Sequence, residues 1–342
     1  MRCIDLRSDT VTQPTAEMRQ AMADADVGDD ILGEDPTVQA LEAYSASLFG
    51  KDRGLFVISG TMANQVALHA MTARGDEILA GEESHIFNLE VGGLAALSGI
   101  QCRVLRAYEG RFWPSDVLSA IRAAGVQAPV TRVLCLENTY DLNRGIPLPA
   151  SYINEMAHLA HSRGLQVYID GARIFNAAMA ESTSSSRLCE QADVVQFCLT
   201  KGLAAPIGSV LVGSKEFIDK ARWVRQRFGG GMRQAGHMAA AGLVALRTMM
   251  ERLAEDHVLA RRLAEGLAAI DPRLVDPISV KTNIIRVDFG SLGMTSVSVS
   301  EKLKHLGIKV KVITDTACRM VTHWGITGTE VDEVIDSIRS VL

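Results

Sequence analysis

Between residues 54 and 213, seven short apolar runs alternate with stretches of helical character. The runs are "GLFVIS", "DEILAG", "QCRVLR", "TRVLCLEN", "LQVYID", "DVVQFCL" and "GSVLVG". Between them lie "GTMANQVALHAMTAR", "PSDVLSAIRAAG" and "PASYINEMAHLAHSRG", the last two opening on proline near the first turn. Strand-length runs separated by amphipathic helices predict an α/β fold, a mostly parallel sheet covered by helices on both faces. In such a sheet, ligands collect beyond the carboxyl ends of the strands. Lys201, Asp170 and Asn138 each stand just past an apolar run, so the order predicts that they converge.

The texture changes after "FGGGMRQ". The segment 236–270 reads as long helices, and "TNIIRVDF", "IKVKVIT" and "CRMVTHWG" read as short strands around two helix patterns. A large domain over 14–245 and a small α+β domain over 246–342 are expected. A chain of 342 residues is long enough for both.

Charge and cysteine usage exclude several classes. The net charge of −5 is spread over interspersed charges of both signs, which argues against a nucleic-acid or membrane partner. The six cysteines are scattered without a C-x-x-C pair and read as small core hydrophobes in a reducing cytoplasm. "MRCIDLRSDT" carries charges where a signal peptide needs its apolar centre, and no run is long enough to span a bilayer. A soluble cytoplasmic protein is expected. No G-x-G-x-x-G follows a strand, and P-loop, H-E-x-x-H and G-x-S-x-G motifs are absent. His158 and His161 read as a polar helix face, so no metal site is expected.

Three segments carry chemistry instead. "QFCLTKGLAAPIGSVLVG" places Lys201 between two apolar runs with no acid in the stretch to pair with it. Burial disfavours an ammonium and yields a nucleophilic amine, one use of which is a Schiff base with a carbonyl cofactor. The competing reading is a strand-end lysine whose stem carries its amine to solvent. In "VISGTMANQ" a strand ends at Ser59-Gly60-Thr61 and a helix begins, offering amides and the Thr61 hydroxyl to an anion; a plain threonine N-cap is the alternative. In "YIDGARIFNA" Asp170 closes a central strand, where a carboxylate needs a cation, Arg173 being the nearest in sequence. An anion site, a buried carboxylate and a nucleophilic lysine together are what pyridoxal 5'-phosphate requires.

The chain resembles the pyridoxal-phosphate-dependent threonine aldolases of the β-eliminating lyase group over essentially its whole length. The resemblance is carried by "DLRSDTVTQPT", "VGDDILGEDP", "SGTMANQ", "ESHIF", "LENTYDLNRG", "IDGARIFNA", "CLTKGLAAPIGS", "GGGMRQAG" and "RMVTHWG". It implies the aspartate-aminotransferase-like fold type I, with a seven-stranded sheet and an N-terminal segment, 1–13, contributing to the active site. It also implies a homotetramer built from dimers with shared sites.

Carried over by motif, Lys201 would bind the cofactor covalently, Asp170 would pair with its ring nitrogen, and Arg173 would lie near the ring oxygen and the substrate carboxylate. Gly60 and Thr61 would hold the phosphate, and Arg233 would reach it from a neighbouring subunit. His85 would stack on the ring beside the substrate hydroxyl, and Ser8 and Arg319 would clamp the α-carboxylate. The implied reaction is carbon–carbon lysis: L-threonine, L-allo-threonine and related 3-hydroxy amino acids would give glycine and an aldehyde, reversibly. Alternatives are an aldolase for bulkier substrates such as phenylserine, or a β-eliminating lyase releasing a 2-oxo acid and ammonia. Thr200 stands where serine commonly precedes the lysine, and two further positions depart from the family pattern: Tyr140 stands where histidine is common, and Leu32 where tyrosine is. Both are expected to reshape the pocket for the β-substituent, with Tyr140 in a catalytic position.

Overall fold

The computed structural model describes residues 3–342; the first two residues of the expected 1–13 segment lie outside the described residues. Every one of the seven predicted runs forms a strand. After a short strand β1 (Ile4–Asp5) come β2 (Arg53–Val57), β3 (Glu77–Gly81), β4 (Gln101–Leu105), β5 (Thr131–Glu137), β6 (Gln166–Asp170), β7 (Val194–Cys198) and β8 (Ser209–Gly213). Strands β2 to β8 form one sheet in the order β2-β8-β7-β6-β5-β3-β4. Only β8 runs against its neighbours; the other pairings in the sheet are parallel.

Apart from the edge strand β4, the apolar runs are nearly continuous because both faces of the sheet are buried there. Leu134, Leu136, Val167, Ile169, Val195 and Phe197 turn to one side, into a core completed by the helices Pro36–Phe49, Ala150–His161 and Gly236–Thr248. Val133, Cys135, Tyr168 and Val194 turn to the other, against Gly60–Met71 and Lys215–Arg227. Local signals set the ends of the helix Pro36–Phe49. The Asp35 carboxylate accepts from the Val38 amide, proline occupies the first turn, and Gly50 closes the helix at φ 62°.

A second core lies under a three-stranded antiparallel sheet, β11 (Lys311–Val312), β12 (Ala317–Val321) and β9 (Ile284–Asp288), with the helices Leu253–Ile270 and Gly328–Val341. The expected strand "IKVKVIT" divides in two. Its first part, β10 (Ile308–Lys309), pairs in parallel with β1, while Lys311–Val312 joins the antiparallel sheet. Ile4 and Leu6 are therefore part of the second core although they begin the chain. That pairing carries the following residues, Ser8 and Asp9, toward the carboxyl end of the large sheet, where Asp9 meets Arg173.

Candidate active site

At the carboxyl ends of the central strands is a cleft of about 150 Å³. Gly60, Thr61, His85, Asp170, Arg173 and Lys201 line it, six of the residues that the sequence singled out. Asp170 ends β6, Lys201 follows β7 within a tight turn, and Gly60 begins the helix after β2. Thr12 Oγ1 donates to the Lys201 carbonyl at 3.1 Å, fixing that turn to the N-terminal segment. The Lys201 amine has no ion-pair or hydrogen-bond partner among the described residues.

Asp170 is buried, at 3% exposure, and the expected cation is not beside it. Its carboxylate accepts from Asn64 Nδ2 at 2.8 Å, from the Ala172 amide at 3.1 Å and from Gln196 Nε2. Neutral donors hold the charge, and no arginine or lysine pairs with it among the described residues. A buried carboxylate facing a cleft in this state is prepared for a cation that arrives with a ligand.

Asn64 links this group to His85. Its Nδ2 also donates to Glu90 Oε1 at 2.6 Å, and the same Glu90 oxygen meets His85 Nδ1 at 2.9 Å. Tyr168 donates its hydroxyl to Asn64 Oδ1, so the amide's orientation follows from its partners. His85, Glu90 and Asp170 bring ligand atoms within 4.8 Å of one another. The space between the two carboxylates already holds the Asn64 amide, which satisfies them without a metal ion. With Nδ1–H turned to Glu90, the other imidazole nitrogen is left to accept a proton.

The helix Gly60–Met71 is capped by Ser59, whose hydroxyl accepts from the Met62 amide. The Thr61 hydroxyl is thereby released from the capping role it was offered as an alternative. A side chain at residue 60 would place its Cβ 2.8 Å from Cys198 Sγ, so glycine is required for the strand-to-helix turn to pack against β7. First-turn amides, the positive end of the helix and a hydroxyl at the cleft form an anion cradle.

Arg173 is committed to Asp9 through Nε and Nη2, at 2.7 and 2.6 Å, which leaves Nη1 for a ligand. Burial alone would raise the Asp9 carboxyl, but the Arg173 guanidinium overrides it and holds the group well below the usual carboxylate range. Arg319 lies behind this pair. It donates to the carbonyls of Leu142 and Arg7, both at 2.7 Å, and its Nε has no partner. Burial first, then the neighbouring Arg173, push Arg319 down to about 10. The Ser8 hydroxyl caps a turn by accepting from the Thr10 amide. Of the three residues expected to clamp a carboxylate, Arg173 lines the cleft and Arg319 and Ser8 do not.

Tyr140 requires a correction. Its ring is buried between Gly81 and Gly110, either of which would clash with it if it carried a Cβ. Its hydroxyl accepts from the Glu83 amide at 3.1 Å, and it is not part of the cleft. A backbone bridge joins Tyr140 to Ile146, and the side chain is buried away from the cleft lining. Leu32 is likewise away from the cleft, 67% exposed at the surface, and within this chain it does not shape the pocket. Arg233 is exposed and paired with Asp29 at 2.6 Å, outside the cleft of its own chain.

Asp9, Asn64, Glu90, Glu137 and Gln196 were missed. Their roles depend on contacts distant in sequence; Asn64 stood in the "SGTMANQ" motif and Asp9 in "RSDT", where a polar residue beside a ligand motif was the available signal.

Residues 5–289 match the family described as beta-eliminating lyase. A relative from Arabidopsis thaliana, called probable low-specificity L-threonine aldolase 2, is 42% identical over all of this chain and 98% of its own. The low specificity L-threonine aldolase of Escherichia coli K12 is 39% identical over 99% of each chain. Among solved structures, a threonine aldolase from Leishmania major superposes with a TM-score of 0.83 at 18% identity, covering 99% of this chain and 100% of the other, a likeness of fold.

Proposed function

The chain belongs to the beta-eliminating lyase family, and from there we propose that it is a pyridoxal-phosphate-dependent aldolase. It cleaves L-threonine, L-allo-threonine and related 3-hydroxy amino acids to glycine and an aldehyde; in support, the two relatives named above are called low-specificity L-threonine aldolases. The observation that carries the reading is Asp170, a buried carboxylate held by neutral donors in the lining of a cleft that also holds a lysine without a partner among the described residues. The donor set fits the cofactor: a carboxylate for a pyridinium nitrogen, an amine for an aldehyde and a helix N-terminus for a phosphate. When bound, pyridoxal phosphate supplies a carbonyl for amines and a ring that accepts the electron pair of the broken bond.

The chain's own residues do the rest. Lys201 contributes the amine, Asp170 keeps a proton on the ring nitrogen, and Gly60 and Thr61 receive the phosphate. Arg173 Nη1 grips the substrate carboxylate and so fixes which bond at Cα is broken, which is catalysis by positioning. His85, oriented by Glu90, takes the proton of the β-hydroxyl at its free nitrogen.

A second copy covers the cleft mouth in this reading, and a homotetramer of paired dimers is the assembly. Support comes from exposed apolar side chains flanking the site residues: Phe87, Leu89 and Val91 around His85 and Glu90, and Ile58 before Gly60. Exposed Arg233 is free to reach a neighbour's phosphate by exchanging its Asp29 contact. Six free cysteines fit a reducing cytoplasm, and no helix among the described residues is long and apolar enough to cross a membrane.

The test is a product assay on cofactor-loaded protein with L-threonine, L-allo-threonine, phenylserine and a β-substituted alanine. Glycine with aldehyde is expected; 2-oxo acid with ammonia would overturn the aldolase. Lys201→Ala is expected to abolish turnover and the cofactor-dependent visible absorption, and a retained band would remove Lys201 from its role.

A further inference from the structure

One buried acid at the cleft has no task in the chemistry above. Glu137 ends β5, is only 8% exposed and lines the cleft with Lys201. Its Oε2 accepts the His85 amide at 2.7 Å, while Oε1 has no hydrogen-bond partner among the described residues. In the parallel register of β5 and β6, Glu137 stands opposite Asp170. Residues so paired project to the same side of a sheet, so two carboxyl groups share one desolvated end.

Both cannot ionise there without strong mutual repulsion. Asp170 has three donors, from Asn64, Gln196 and Ala172, whereas Glu137 has one. Donors to the charged form favour it, so of the two Glu137, with the single donor, is the one that keeps a proton. Burial first, then the Asp170 carboxylate and more weakly Asp141, push Glu137 well above the ordinary carboxyl range, against the pull of the His85 amide and Lys201. Arg173 and the Tyr140 phenol are the other titratable side chains that feel it. With Oε2 already accepting, the proton belongs on Oε1, the atom without a partner.

We propose that Glu137 is a further ligand-binding residue of the cleft, a neutral carboxylic acid whose Oε1–H donates to an anionic oxygen of the cofactor or of the substrate. The proposal rests on the pyridoxal phosphate reading of the cleft. A glutamate anion in the same place would repel such an oxygen, whereas the acid binds it and keeps the site from gathering a second negative charge beside Asp170.

Protonation is read in the cofactor-free protein, by infrared difference spectra of wild type against Glu137→Gln near neutral pH. A protonated-carboxyl carbonyl band that vanishes in the variant is expected; carboxylate bands in its place would overturn the proposal. Ligand binding is then read by pyridoxal phosphate titration and by KM for threonine. Glu137→Gln keeps a donor and should stay close to wild type, while Glu137→Met has the length and no donor. For Glu137→Met, a cofactor Kd raised roughly tenfold or more places the acceptor oxygen on the cofactor; an unchanged Kd with KM raised to that extent places it on the substrate. Neither rising would overturn the proposal, and if the methionine variant does not fold, the infrared comparison decides. Wild-type protein that takes up no pyridoxal phosphate would overturn the functional reading and the ligand named here; normal uptake without an acid band would overturn the proposal alone.

Discussion

Arg173 and Asp9 form a two-pronged ion pair across 164 residues of sequence, Nε to Oδ2 at 2.7 Å and Nη2 to Oδ1 at 2.6 Å. Both side chains are buried, at 9% and 0% exposure, so each charge depends on the other for what water would have given it. Removing one partner of such a pair costs about 3–5 kcal/mol, because the other is left charged and desolvated. Asp9→Asn is therefore expected to lower the thermal unfolding midpoint by several degrees. It should also raise KM for threonine more than it lowers kcat, since a loosened Arg173 grips the substrate carboxylate less well. A midpoint equal to wild type would show that the pair contributes no stability.

The same pair sets an acid-side dependence of stability. Asp9 is held below its ordinary value, so it binds a proton less readily folded than unfolded. Its contribution is complete above the unfolded carboxylate value of about 3.9 and is lost as pH falls toward the lower folded value. The stability gap between wild type and Asp9→Asn should be level near neutral pH and should narrow below about pH 4. Denaturant midpoints across that range measure it; a gap that widens on acidification contradicts the assignment.

What the sequence made legible here follows from which features are local. Most strands of the large sheet are readable because burial on both faces makes them nearly unbroken apolar runs, the edge strand β4 being the exception, and Asp170, Lys201 and Gly60 because a functional group at a strand's end interrupts such a run. Asp9 was not readable as the partner of Arg173: its place depends on β1 pairing with β10, a contact between the two ends of the chain. The same loss of information hides the partner of Arg173, which in sequence stands nearest to Asp170 and in space pairs with Asp9. Motif position also says nothing about the face a side chain takes: Tyr140 stands in a motif that borders the cleft, and its ring is buried away from it.

Asn64 separates two buried carboxylates, donating to Glu90 at 2.6 Å and to Asp170 at 2.8 Å. Asn64→Ala removes both donations and leaves the two carboxylates to repel each other, so Asp170 loses a donor that holds it in place for a pyridinium. The expected result is cofactor affinity reduced roughly tenfold or more, the worth of one charge-assisted hydrogen bond. Asn64→Asp should be worse, since it places a third carboxylate at the same point. Absorbance titration with pyridoxal phosphate measures both, and wild-type affinity in the alanine variant would exclude the bridging role.

Tyr140 separates a structural role from a role in specificity. Its hydroxyl serves the Glu83 amide, and its ring fills the space left by Gly81 and Gly110. Tyr140→Phe keeps the ring and loses one hydrogen bond, a cost of about 1 kcal/mol in stability. The ratio of kcat/KM for L-threonine to that for L-allo-threonine should stay at the wild-type value, because no atom of the side chain borders the cleft. Tyr140→His loses ring volume as well and should unfold at a lower temperature than Tyr140→Phe, again without reordering substrates. A changed substrate ratio in the phenylalanine variant, at an unchanged unfolding midpoint, would return Tyr140 to the pocket.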